Sequence, residues 1–219
     1  GGIYRRAYWV LRHALRDDVR RVVLCIGKGA CKSWVVSLTL ARELQKLFAL
    51  SDAAHPRRGV LNLSASGGDQ AAMAVFTDLR QWSKGPWFAR LGAPARESED
   101  HVEWALPNGG VACAHSGNSS PTGVEGIDWT AAGADEVCRL PERDHVHILS
   151  AAGLVGPVED TMVSRFGATY KLLVASWPEH QGDYLLSRNE KDPGQIEMAR
   201  RTGVKEDLTA SFLALPLTW

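Results

Sequence analysis

The segment RRVVLCIGKGACKSWVVSLTLARELQKLFAL, residues 20–50, constrains the fold more than any other part of the chain. RRVVLCIG (20–27) is a short apolar run that stops at a glycine, which predicts a buried strand. KSWVVSLTLARELQKLFAL (32–50) carries apolar residues at helical spacing and predicts a long helix. A strand, a glycine-bearing loop and a helix in that order form the context of the phosphate-binding pattern G-x-x-x-x-G-K-[ST]. The fit is imperfect: Lys32 and Ser33 supply the K-[ST] end, but Cys31 stands where the last glycine belongs and Ile26 where the first does. In such a loop the backbone N–H groups of Gly27, Lys28, Gly29, Ala30, Cys31, Lys32 and Ser33 face anionic oxygens, helped by the helix N-terminus. The Lys32 ammonium reaches the β- and γ-phosphates, and the Ser33 hydroxyl is a ligand for Mg²⁺. Position 31 needs a backbone that comes close and no side chain; a Cβ there costs energy if φ must be positive. Taken alone, the segment is also compatible with a chance G-K-x3-K-S loop in an unrelated α/β protein.

Nucleotide hydrolysis needs acids at the end of another strand, one in the Mg²⁺ shell and one to polarise water. Asp135-Glu136 is the adjacent pair in that order in the middle of the strand pattern, after WTAAGA. A solvated turn is the plain alternative for an isolated Asp-Glu, but beside a phosphate loop the two features answer one chemical need. A third feature is HILSAAG (147–153), a strand ending at Ser150-Ala151, placed to sense a γ-phosphate; an ordinary strand ending in small residues reads the same way.

The rest of the chain alternates. YRRAYWVLRHALRDD (4–18) predicts an amphipathic helix, GVLNLSAS (59–66) a strand, and DQAAMAVFTDLRQWS (69–83) a helix with Asp69 as N-cap. Residues 101–116 predict a hairpin around PNGG, and 129–137, 144–151 and 168–177 further strands. From residue 178 the pattern turns helical, over 192–203 and 204–215. Alternating strands and helices predict an α/β fold with a mainly parallel central sheet flanked by helices. The simplest division is a core over residues 1–177 and a small helical, lid-like appendage over 178–219.

Charge narrows the partners. Net charge is zero, but residues 1–60 hold 12 Lys/Arg against 4 Asp/Glu, and residues 97–144 hold 2 against 10. A uniformly basic nucleic-acid coat is excluded; one basic and one acidic face are allowed. No apolar run is long enough to span a membrane, no signal peptide is visible, and four cysteines without a C-x2-C pair predict a reducing compartment rather than a disulfide framework or a zinc site.

Taken in order, these pieces resemble the ATPase domain of the large subunit of tailed-phage terminases, the motor that packages DNA into proheads. IGKGACKSW is similar to the terminase loop G-K-G-S-G-K-[DST]-aromatic, with its early cation at Lys28. LNLSASGGDQAAMAVFTDLR resembles the family's strand followed by Q-A and F. HSGNSSPTGVEGIDWTAAGADEV resembles its serine-rich loop and Asp-Glu strand, and HVHILSAAG its coupling motif. VASWPEH and NEKDPGQIEMARRTG resemble the later S-W and D-P stretch. The likeness spans about residues 20–203 and departs at Cys31, at the thin TAAGA run, and at Ser33 where the family often has Asp.

The resemblance implies a P-loop NTPase with ATP and Mg²⁺ as cofactors. Lys32 and the loop amides would hold phosphates, Ser33 and Asp135 the metal, Glu136 the attacking water, and Lys28 the developing charge. Ser150 and Ala151 would pass on γ-phosphate loss, and Arg139, Arg143 or Arg165 would serve a neighbouring site. It further implies double-stranded DNA, the portal of the prohead and the terminase small subunit as partners, assembly as a homo-oligomeric ring, and the host cytoplasm as location. The chain is too short for the nuclease domain of complete terminase large subunits. A degenerate P-loop module that binds nucleotide or DNA without hydrolysis stays open, as does another P-loop enzyme.

Overall fold

Val22, Val23 and Leu24 are all buried, because the strand they form has a covered layer on each of its faces. The computed structural model describes residue 8 and residues 10–25, 31–50, 56–64, 75–117, 127–136, 151–176 and 212–214. Within these, the order of elements is β1 (Arg21–Cys25), α1 (Lys32–Leu50), β2 (Arg57–Ser64), α2 (Thr77–Ser83), β3 (Arg96–Glu97), β4 (His101–Ala105), β5 (Val111–Gly117), β6 (Asp128–Asp135), α3 (Ala151–Phe166), β7 (Lys171–Ser176) and β8 (Phe212–Ala214). They build one 8-stranded sheet in the order β3-β4-β5-β2-β6-β7-β1-β8. The run from β8 to β5 is parallel, and β4 and β3 continue it antiparallel. The α/β sheet predicted from the alternating pattern is therefore present, mostly parallel and flanked by helices.

Period-2 alternation divides each central strand between two cores. On one face Val22 and Leu24 of β1, Ala131 of β6 and Leu173 and Ala175 of β7 pack with Val35, Val36, Leu40, Leu44 and Leu47 of α1. On the other, Val23, Ala132, Ala134, Leu172 and Val174 join Val158 and Met162 of α3. A helical stretch over residues 10–14 adds Val10, Leu11 and Ala14 to the first core. Its exit is fixed by buried Lys171, whose Nζ donates to the carbonyl oxygens of Ala14 (3.0 Å), Arg16 (2.5 Å) and Val19. Three acceptors saturate the three N–H bonds of the ammonium, which in turn supplies donors to carbonyls at and beyond a helix end.

The PNGG hairpin forms as the sequence predicts, with Gly109 at φ 82° and its N–H bonded to the Leu106 carbonyl at 3.0 Å. Differences lie elsewhere. The predicted helix over 69–83 is described from residue 75 and is regular over α2; Asp69 lies outside the described residues. The helical pattern over 204–215 gives way at Phe212–Ala214 to strand β8, paired in parallel with Arg21–Val23. The open edge of β1 offers unpaired N–H and C=O groups to a short apolar triplet, and sheet pairing outweighs local helix propensity. Residues 177–211, which hold most of the predicted lid, lie outside the described residues.

Candidate nucleotide site

Parallel strands end on a common rim, and in open α/β sheets the crevice beyond those C-terminal ends is where ligands bind. Register places Cys25 of β1 beside Ser176 of β7, and Ala175 of β7 beside Asp135 of β6. The chain leaves β1 there and returns at Cys31 to start α1. Helix α1 runs back over the sheet, with its first turn above the rim and its body on β6, β2 and β7.

That path brings the two halves of the predicted site together. Ser33 Oγ donates to Asp135 Oδ2 at 2.6 Å, across 102 residues of sequence. Asp135 is buried, and its Oδ1 accepts the backbone N–H of Glu136 at 3.0 Å. Burial pushes the Asp135 carboxyl above the ordinary carboxylate range, and the Glu136 charge adds to this. The Ser33 bond, the Glu136 amide and the charge of buried Lys32 pull the other way. A buried carboxyl raised in this way, beside a hydroxyl and an ammonium, has lost water without gaining a full counter-charge.

Backbone strain marks the same place. Among the described residues, Cys31 (φ 61°) and Glu136 (φ 55°) are the non-glycine residues with positive φ. One precedes Lys32 and the other follows Asp135. Cys31 therefore adopts the left-handed conformation for which the motif uses glycine, and pays for its Cβ there. Such strain persists where the surrounding structure over-determines it, and it clusters at functional sites.

The other predicted site residues fare differently. Gly27, Lys28, Gly29, Ala30 and Ser150 lie outside the described residues. Ala151 is the first residue of helix α3, not the end of a strand, so the predicted strand over 144–151 does not extend to it. The strand between β1 and β6 is instead β7, and the residue at its rim end is the buried Ser176. The signal for Ser176 is in the sequence: KLLVAS is a continuous apolar run that stops on a serine. Arg165, a candidate for a neighbour's site, is ion-paired with Asp128 at the opposite end of β6, roughly 23 Å along the strand from Asp135. Arg139 and Arg143 lie outside the described residues.

A family model described as "Uncharacterized protein MJ0330, N-terminal P-loop domain" matches residues 10–215. The chain belongs to this P-loop family. Its fold is also that of a terminase-like domain: it is similar to the crystal structure of the HK97 bacteriophage large terminase, with a TM-score of 0.50 and 15% sequence identity. The likeness covers 88% of this P-loop domain and 36% of the HK97 chain, so the domain spans about a third of that protein. No curated protein matches the chain. No helix among the described residues is long and apolar enough to cross a membrane.

Proposed function

We propose that the chain is an ATP-hydrolysing, terminase-like motor domain that uses Mg²⁺ and acts on double-stranded DNA. The observation that carries this is the contact between Ser33 at the start of α1 and Asp135 at the end of β6, made beside Lys32 and Glu136. Oxygen donors from a hydroxyl and a carboxylate suit Mg²⁺, which takes few protein ligands and keeps several waters. When bound, the ion neutralises charge on the β- and γ-phosphate oxygens. Lys32 would hold those same oxygens as a point charge, and the sequence resemblance assigns the rest of the cradle to the amides of residues 27–33. Glu136 follows directly on Asp135 and orients the attacking water, and its left-handed φ turns it away from the strand direction. Ser176, at the end of the strand between β1 and β6, lies between the two halves and reports γ-phosphate loss to the segment that follows it.

The DNA, prohead portal, small subunit and ring assembly belong to this proposal through the sequence resemblance and the fold. ATP turnover measured with and without duplex DNA tests it: stimulation that weakens as salt rises supports backbone contacts, and indifference to DNA removes the motor reading. A second reading has its own observation. Cys31 holds a strained left-handed φ inside the phosphate loop, which favours a module that binds nucleotide without hydrolysing it. Tight nucleotide binding with no phosphate release, with or without DNA, would select that reading.

A further inference from the structure

The strand before Asp135 is thin in large side chains, and the structure gives a reason. Ser33, Val36 and Leu40 lie at i, i+3 and i+7 on α1 and form one stripe of the helix. Asp135, Gly133 and Ala131 alternate on β6 and share one face of the sheet. The two rows lie on each other: Ser33 meets Asp135 at 2.6 Å, while Val36 and Leu40 cover Gly133. A methyl built on Gly133 would sit 2.5 Å from Val36 Cγ1 and 3.1 Å from Leu40 Cδ1. Carbon atoms need about 3.5–4.0 Å, so any side chain at 133 drives α1 off the sheet by about 1 Å one turn from Ser33. Both neighbours are packed in the core, Val36 and Leu40 being fully buried, so neither has free space to retreat into.

We propose that Gly133 is a positioning residue for the metal-nucleotide site: its missing side chain sets the height of α1 above β6 and so holds the Ser33 hydroxyl within bonding distance of Asp135. Gly133 touches neither nucleotide nor metal; it acts through the helix. Of the small residues of TAAGA, Ala131 and Gly133 face α1, and Gly133 is where the helix comes closest. This rests on the site reading given under Proposed function, and the test separates the two.

Gly133→Ala, Val36→Ile and the double variant Gly133→Ala/Val36→Ala would be compared with wild type by crystal structure without nucleotide and by titration with ADP at varied Mg²⁺. Val36→Ile adds a methylene to the fully buried side chain that covers Gly133, so it overpacks the same contact from the helix side if Gly133→Ala does not fold. In the crystal, the single variants are expected to lengthen Ser33 Oγ to Asp135 Oδ2 beyond 3.5 Å, and the double variant, with Cγ1 removed, to restore it. In titration, the Mg²⁺ concentration at half-maximal ADP affinity is expected to rise about tenfold in the single variants and to return within about threefold in the double, with affinity for metal-free ADP unchanged; misplacements of this size cost up to about a hundredfold. A folded single variant that keeps the 2.6 Å contact, or a double variant that does not recover it, overturns the inference. If wild type binds no nucleotide, the nucleotide reading fails, while the crystallographic arm still decides what Gly133 does to the helix.

Discussion

Ser33 Oγ and Asp135 Oδ2 lie 2.6 Å apart although 102 residues separate them in the chain. The contact joins the first turn of α1 to the last residue of β6, and β7 lies between the strands from which the two elements come. Several consequences are measurable.

Burial raises the Asp135 pKa above its ordinary value of 3.8. The folded protein then holds that proton more tightly than the unfolded chain. Stability from this group is complete below the unfolded value and declines as pH rises through it and through the raised folded value. Asp135→Asn removes the ionisation. Without metal, the variant is expected to melt above wild type at pH 7, with the gap closing near pH 3.5. Thermal melts across that range in the presence of chelator check this. A wild type that melts higher than Asp135→Asn at pH 7 would contradict the assigned cause. Mg²⁺-dependent nucleotide affinity should fall in the same wild-type window as the carboxyl takes up its proton, and should be absent in the variant.

Cys31 is strained by a left-handed φ of 61°. Cys31→Gly removes that strain but adds freedom to the unfolded chain, and the two effects are each about 1 kcal/mol. Its melting temperature should therefore stay within a few degrees of wild type, and nucleotide affinity should hold or improve. Cys31→Val, with a branched Cβ at positive φ, should lose at least tenfold in affinity. Equal affinities for the Gly and Val variants would show that the phosphate loop does not use this conformation.

Much of the fold was legible because its signals are local. RRVVLC, LNLS and KLLVAS are apolar runs that become β1, β2 and β7, and PNGG fixes the β4–β5 turn. The pairing of Ser33 with Asp135 followed from chemistry, since a metal-nucleotide complex needs both groups. Strand order was not legible. HILSAAG and KLLVAS read alike as strands ending in small residues, and only pairing with β1 and β6 shows that Ser176 occupies the rim between them. Phe212–Ala214 reads as helix from its local pattern because its partner, the β1 edge, is some 190 residues away in the chain. Gly133 carries a signal that sequence alone does not interpret: the thin TAAGA run reads as a weak strand, and its reason is the α1 helix lying on it.

In the proposed mechanism, Ser176 has the sensing role that the sequence resemblance gives to Ser150 and Ala151. Ser176→Ala is expected to keep nucleotide affinity within about threefold and to slow turnover by about 10–100-fold, the effect of losing a hydrogen bond to a charged group in the transition state. Ala151→Gly, in α3, is expected to leave turnover within about threefold. Steady-state phosphate release and equilibrium nucleotide titration on both variants decide it. Unchanged turnover in Ser176→Ala would remove β7 from the mechanism.

Lys171 binds three carbonyls at the exit of the 10–14 helical stretch. Lys171→Met keeps the length of the side chain and takes this donor from the Ala14 and Val19 carbonyls, at about 1–3 kcal/mol for each one that stays dry, while the Arg16 carbonyl keeps the Val19 N–H at 3.3 Å. A melting temperature lowered by several degrees and faster proteolysis within residues 1–20 are expected, read by differential scanning calorimetry and mass mapping of fragments. Wild-type resistance to protease would show that the packing of Val10, Leu11 and Ala14 holds this stretch without the clamp.

The central claim is that Lys32, Ser33, Asp135 and Glu136 form one ATP-hydrolysing site. The most direct measurement is phosphate release from ATP with Mg²⁺ by wild type, Lys32→Ala and Glu136→Ala, each paired with a nucleotide-binding titration. The account predicts release by wild type, loss of both binding and release in Lys32→Ala, and binding without release in Glu136→Ala. Release by Glu136→Ala at the wild-type rate, or nucleotide binding that ignores Lys32→Ala, would contradict it.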